Sequence, residues 1–253
     1  MSGVSKRFAN GTLALSGMSM DVRDGEFVSL LGPSGCGKST ALRLVAGLGQ
    51  PTAGEIHWPK ASYTAEGKPV REMSFVFQEP TLMPWSTVFD NVWLPLRLKG
   101  ASRKQARERV TAALEMVRLG KFPNAYPREL SGGMKMRVSI ARALVTRPKI
   151  LLMDEPFAAL DEITRQRLND DVLRLWEEHR WTIIFVTHSV PEAVYLSNRI
   201  VVMAARPGRV IADTSNDLSY PRDTEVRTSS EFAAASRKVS SILHESMGAQ
   251  EHL

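Results

Sequence analysis

Phe27-Val28-Ser29-Leu30-Leu31-Gly32-Pro33-Ser34-Gly35-Cys36-Gly37-Lys38-Ser39-Thr40-Ala41-Leu42-Arg43-Leu44-Val45 is the stretch that decides the fold. Residues 27–31 are almost wholly apolar and read as a short buried strand. Gly32 to Thr40 fit G-x-x-x-x-G-K-[ST], and Ala41, Leu42, Leu44 and Val45 then fall at helical spacing. A strand, a glycine-rich loop and a helix N-terminus in that order suit a phosphate chain. The glycines let backbone N–H groups turn inward, and the helix end adds a partial positive charge. Lys38 is placed to reach β- and γ-phosphates, and the Ser39 hydroxyl to bind Mg²⁺.

The same alternation recurs outward from this stretch. Phe75-Val76-Phe77 precedes Gln78, Ile150-Leu151-Leu152-Met153 precedes Asp154-Glu155, and Ile183-Ile184-Phe185-Val186 precedes Thr187-His188. Ile200-Val201-Val202-Met203 follows a short helix. Strands interleaved with helices predict an α/β fold with a mostly parallel sheet, whose ligands bind beyond the carboxyl ends of the strands. Gly32, Gln78, Asp154 and His188 all lie at that end of their runs. Asp154 is placed to orient Mg²⁺ or its waters. Glu155, one residue on along an extended chain, is expected to point elsewhere and take a proton from an attacking water.

Helices are predicted after the capping box Ser102-Arg103-Lys104-Gln105, after Ser131, over 161–180 and over 231–246. Residues 80–148 hold helices and no strand, which reads as a helical subdomain inserted into the sheet. Residues 58–73 are polar and irregular and are assigned to a small antiparallel piece near the N-terminus. Beyond Pro207-Gly208 the periodicity weakens until the last helix. The chain has 253 residues, a net charge of +6 and one cysteine, Cys36, which excludes an internal disulfide and a cysteine–zinc cluster. Average hydrophobic and charged content argues against disorder, collagen-like repeats and coiled coil. No apolar run approaches the roughly 20 residues of a bilayer span, and the first residues lack a signal peptide's apolar core, so the expected location is the cytoplasm.

Leu130-Ser131-Gly132-Gly133-Met134 resembles the signature sequence of the ATP-binding cassette (ABC) ATPases. The order of phosphate loop, Gln78, signature, Asp154-Glu155, Ala159-Leu160-Asp161 and His188 is similar to that family's over nearly the whole chain. The resemblance implies a P-loop NTPase with a RecA-like, mostly parallel core sheet, a small N-terminal antiparallel β subdomain and an inserted α-helical subdomain. Residues 1–215 would form the nucleotide-binding domain, with 80–148 as the helical insert and 216–253 as a short C-terminal extension. ATP and Mg²⁺ are the implied ligands. Phe8 would stack on adenine, while Gly32, Pro33, Ser34, Gly35, Cys36, Gly37, Lys38, Ser39 and Thr40 would surround the phosphates. Ser39, Gln78 and Asp154 would serve the metal, Glu155 would be the base, and His188 would hold the γ-phosphate in line. Two cassettes would pair head to tail. Ser131, Gly132 and Gly133 of one would then cover the nucleotide of the other, and Asp161 would touch the partner's phosphate loop.

A finer resemblance, to importer cassettes of the nitrate/sulfonate/taurine type, is carried by Gln78-Glu79-Pro80-Thr81-Leu82-Met83-Pro84-Trp85 and Ala205-Arg206-Pro207-Gly208-Arg209. It implies an ATP-hydrolysing subunit, peripheral at the cytoplasmic face of the inner membrane. The subunit would drive uptake of a small solute through separate polytopic permease subunits, and an extracytoplasmic binding protein would select the solute. Leu82, Met83, Trp85, Val88, Phe89, Val92, Trp93 and Leu94 are expected to divide between the insert's own core and a surface for the permease. The alternative is a soluble ABC ATPase of DNA repair or translation. The single cassette and the lack of a long coiled-coil or zinc insertion disfavour it. Arg103, Lys104, Arg107 and Arg109 read as a solvated helix face, so no nucleic-acid partner is expected. Three departures from the family stand out. The chain starts close to Phe8, so the first strand should be short or missing; Ser189 replaces the usual aspartate; Met134 ends the signature. Cys36, a thiol within the phosphate loop, reads either as a site where an alkylating reagent would obstruct phosphate or as merely a small residue that fits.

Overall fold

A computed structural model describes residues 1–59, 72–205 and 207–248. In chain order the elements are β1 (Ser2–Arg7), β2 (Leu13–Met18), β3 (Phe27–Leu31), α1 (Lys38–Val45), β4 (Ala53–Glu55), β5 (Met73–Val76), α2 (Val88–Leu98), α3 (Arg103–Met116) and α4 (Gly132–Leu144). They continue with β6 (Ile150–Asp154), α5 (Glu162–His179), β7 (Thr182–Thr187), α6 (Val190–Leu196), β8 (Arg199–Ala204), β9 (Arg209–Ser215) and α7 (Ser230–Gly248). Two compact units divide the chain: Met1–Arg71 with Thr182–Leu253, and Glu72–Trp181.

In the first unit β3 runs parallel between β7 and β8, and β9 pairs antiparallel with the far side of β8. All five residues of β3 are buried, as a continuous apolar run covered on both faces requires. The register pairs Leu31 with Thr187, so Gly32 and His188 leave the sheet side by side at its carboxyl edge. Helix α1 packs on β7 and β2, α6 on β3 and β7, and α7 on β8 and α6. A separate antiparallel sheet of order β2-β1-β4 forms the small β piece. Its strands come from residues 2–7, 13–18 and 53–55. Most of the segment 58–73 that the sequence pointed to lies outside the described residues. The first strand is neither missing nor vestigial: β1 has six residues and is paired on both sides.

Where the periodicity weakens after Gly208, the structure places β9. It sits at the open edge of β8 with its residues half-exposed or exposed, so it needs no apolar run and shows none. In the second unit β5 and β6 are parallel, with Val76 opposite Met153. Helix α4 packs against β5, α2, α3 and α5. Between residues 80 and 148 the described residues form α2, α3, α4 and a 3₁₀ turn, Pro127–Glu129, with no strand. The capping box at Ser102 is present in both directions.

The chain after β9 is tied down by one buried arginine. The Arg222 guanidinium, 5% exposed, donates to the carbonyls of Val194, Tyr195, Ser197 and Leu218 and lies 3.9 Å from the Tyr220 ring centroid. It thereby supplies donors to the last turn of α6, whose carbonyls have no intrahelical partner. The Tyr195 hydroxyl in turn donates to the Arg222 carbonyl. Arg222→Met strips these carbonyls of a buried donor and should lower the unfolding free energy by about 3 kcal/mol, read from urea denaturation.

Candidate functional site

The phosphate loop owes its shape to two left-handed glycines, Gly35 at φ 78° and Gly37 at φ 90°. Gly37 occupies the N-cap of α1, and no side chain caps that helix. The contrast with the rest of the chain is sharp. Helices α2 to α6 carry Thr87, Ser102, Ser131, Asp161 and Ser189 at their N-caps, each accepting a hydrogen bond from a first-turn amide. The first turn of α1 thus carries no side-chain cap at the place where the loop meets the helix. Lys38, 3% exposed, turns its ammonium back to donate to the carbonyls of Gly32 (2.8 Å) and Pro33 (3.0 Å).

Close approach demands the remaining glycines. A Cβ on Gly32 would lie 2.6 Å from the Met203 carbonyl, and one on Gly37 would lie 2.8 Å from the Ala14 carbonyl. The chain also packs under the loop at Gly208, where a Cβ would collide with the Cys36 carbonyl. Gly208 donates to the Ala14 carbonyl (3.0 Å) and accepts from the Ser16 amide (2.9 Å), stitching the β8–β9 turn to β2. The sequence reading missed this support. Its only signal was the Pro207-Gly208 turn dipeptide. Cys36 is fully buried, which favours the reading of a small residue that fits over that of a thiol open to reagents.

His188 is exposed just beyond β7. Its backbone is braced on both sides: Thr187 donates through its hydroxyl to Glu192 and accepts from the Ser189 amide, and Ser189 caps α6 through the Glu192 amide. Thus Ser189 fills the capping role open to an aspartate at that position. Thr187 and Glu192 were not singled out from sequence, although an acid in the first turn of a helix is a recognisable signal. Phe8 lies at the end of β1, 44% exposed, with the Lys6 ammonium 5.7 Å from its ring centroid. It is therefore a surface ring and not part of the core.

In the second unit the β5–β6 register brings Gln78 and Asp154-Glu155 to the same strand ends. Asp154 closes β6 and is buried, whereas Gln78 is exposed. Glu155 has φ 43°, in the left-handed region. A turn, and not the strand alternation anticipated above, separates its direction from that of Asp154. Such a conformation costs a non-glycine residue on the order of 1–3 kcal/mol and tends to persist where it serves a site. The signature also resolves into parts. Ser131 accepts from the Met134 amide (3.3 Å) as the N-cap of α4. Gly133 has no room for a side chain, because its Cβ would sit 2.5 Å from Thr164 Cγ2 in the first turn of α5. Asp161 caps that turn through the Thr164 amide (3.0 Å), and this bond holds its carboxyl below the ordinary range. The structure therefore places Ser131-Gly132-Gly133 against Leu160 to Thr164, a neighbourhood the spacing did not reveal. Of the apolar stretch after Gln78, Val88, Phe89 and Val92 are core, while Trp85 is 76% exposed.

Ser39, Gln78 and Asp154 offer hydroxyl, amide and carboxylate oxygens, the hard donors that Mg²⁺ takes. No helix among the described residues is long and apolar enough to cross a membrane.

Two outcomes follow from this geometry. Cys36 should react with a small alkylating reagent far more slowly than a free thiol and reach full labelling only in denaturant. Labelling at the free-thiol rate would contradict the burial. Asp161→Asn keeps a good capping residue, so its thermal midpoint should match the parent within about 1 °C while the negative charge is gone. Any functional change in that variant then reports the charge and not the helix.

Residues 15–158 match the family described as ABC transporter. The chain is similar to the aliphatic sulfonates import ATP-binding protein SsuB of Bacillus cereus, with 45% identity over 240 residues, 94% of this chain and 92% of that one. Among solved structures it is similar to a dimeric, post-hydrolysis ATP-binding cassette bound to ADP and Pi, with a TM-score of 0.73 and 34% identity over 86% of this chain and 98% of that chain. It is also similar to cbiO1 of Clostridium perfringens, part of the ABC transporter complex cbiONQ, with a TM-score of 0.75 and 28% identity over 100% of this chain and 97% of that one.

Proposed function

The chain belongs to the ABC transporter family, and we propose that it is the ATP-hydrolysing subunit of an importer whose membrane-spanning subunits are separate chains. It is an ATP-binding cassette of α/β P-loop fold. The observation that carries the hydrolytic reading is the uncapped first turn of α1 behind left-handed Gly37, with the buried Lys38 ammonium at the same loop.

The residues divide the work as follows. Backbone amides of the loop and first turn bind the phosphates, Lys38 neutralises their charge, and Phe8 stacks on the base. Gln78 orients the attacking water, Glu155 takes its proton, and His188 holds the γ-phosphate in line. Mg²⁺, held by Ser39 and Asp154 with Gln78, would neutralise charge on the phosphates. Ser131, Gly132, Gly133 and Asp161 act toward a second copy of the chain, so that closure completes each site. We take residues 80–148 as the helical segment that carries the permease-facing surface, with Trp85 at its exposed edge. The 45% identity to a sulfonate importer's cassette over most of both chains supports a small anionic solute of the sulfonate class. That solute would be chosen by an extracytoplasmic binding protein and not by this subunit.

Glu155→Gln should bind ATP with near-parental affinity, lose at least about 100-fold in turnover, and run as a dimer in ATP on size exclusion. Lys38→Ala should fail earlier, with nucleotide affinity reduced about tenfold or more. Wild-type turnover in Glu155→Gln would remove the base assignment. The transport reading is tested by uptake of labelled alkanesulfonate, taurine and nitrate in cells whose only copy of this chain carries Glu155→Gln. Uptake of all three at the parental rate would overturn it.

A further inference from the structure

Arg142 lies near the end of α4, the helix that starts at the Ser131 cap. Its guanidinium is committed to the loop after Gln78. One arm donates to the Thr81 carbonyl (2.8 Å). The other donates to the Pro80 carbonyl (2.7 Å) and the Thr81 hydroxyl (2.9 Å), and more weakly to Ser139 (3.4 Å). These partners are neutral oxygens and none is a carboxylate. Burial accordingly pulls the guanidinium below its ordinary pKa.

The clamped backbone is unusual. Thr81 has φ 47°, a left-handed conformation that a β-branched residue avoids unless its surroundings impose it. Pro80 has no N–H, so only its carbonyl can anchor it. The fork holds both carbonyls and the Thr81 hydroxyl from two planar arms in a fixed geometry, which a flexible ammonium reproduces less well.

A second anchor holds the rest of the loop by a different helix. Asn91 on α2, fully buried, accepts from the Met83 amide and donates to the carbonyls of Met83, Ser86 and Thr87. Residues 80–81 are thus tied to α4 and residues 83–87 to α2. Removing Arg142 frees only the half next to Gln78.

We infer that Arg142 is a positioning residue for Gln78, fixing the backbone just beyond it to the helix whose other end is the signature. The inference rests on the reading that Gln78 serves the metal and the attacking water. Ser131 and Arg142 sit about 16 Å apart along one rigid rod. Any shift of the Ser131 end on closure is therefore delivered to Pro80 and Thr81. Among arginines of α4 the role is particular to Arg142. Arg137 instead pairs with Asp171 and donates to the Val117 carbonyl.

The test uses the full chain with Arg142→Met and Arg142→Lys, each alone and combined with Gln78→Ala. Hydrogen exchange is followed on peptides spanning 77–82 and 83–91. The Mg²⁺ concentration for half-maximal binding of a non-hydrolysable fluorescent ATP analogue is measured beside ATP turnover. Arg142→Met should speed exchange about fivefold in 77–82 and leave 83–91 unchanged. It should also raise the Mg²⁺ requirement about fivefold and lower turnover about tenfold, with little further loss when added to Gln78→Ala. Arg142→Lys, which keeps the charge and the buried stem, should show the same pattern more weakly and serves if the Met variant does not fold. Equal acceleration in both peptides would mean a packing role only and would overturn the inference. Multiplying losses in the double variant would also overturn it while leaving Gln78's role intact. A Gln78→Ala variant with parental Mg²⁺ requirement and turnover would instead overturn the reading of Gln78 and the inference with it.

Discussion

The start of α1, which no side chain caps, is the constraint on which the rest of the first unit depends. A helix begins with four N–H groups that have no partner within it, and folding ordinarily satisfies one or more with a capping oxygen. This chain does so at α2 through α6. At α1 it places a left-handed glycine instead and buries a lysine at the same turn. Keeping that arrangement rigid needs β3 between two parallel neighbours, so that the loop springs from the most buried strand. It also needs Gly208 and the Ala14–Ser16 segment packed beneath the loop. The cost of an uncapped terminus is met by the surrounding sheet and is offset when phosphate oxygens accept from those amides.

The legible parts of the sequence were those set by burial on both sides. The runs at 150–153, 183–186 and 200–203 could only be covered strands, and each strand extends them by one or two residues. The helix starts at Ser102, Ser131 and Asp161 were also legible, because capping chemistry is local. What stayed hidden depended on a distant surface. β9 has no periodic signal because it lies at a sheet edge, and β1 is half-exposed and bulged against β2. In the site, the motif positions could be read, but not the reasons for their residue types. Gly133 is small because Thr164 occupies the space, and Glu155 stands on a left-handed backbone and not on an extended one. No spacing argument contains either contact. Nor could it show that Cys36 faces inward, since an identical loop sequence is compatible with either orientation of the thiol.

The choice of capping residue at the signature follows from charge. Ser131 accepts from the Met134 amide, which uses one lone pair and leaves the hydroxyl proton free to be aimed outward. A neutral cap of this kind serves its helix and can still donate to an anion at the same terminus. Asp161 is the opposite case. It caps α5 just as well, but its carboxylate accepts only and repels phosphate. Its outward face suits amides and hydroxyls, the donors that a glycine-rich loop presents. With the two caps side by side, one surface of the second unit presents a hydroxyl donor next to a carboxylate acceptor. That pairing is what a second copy of the chain would need, and exchanging the two residues would reverse both preferences while leaving both helices capped.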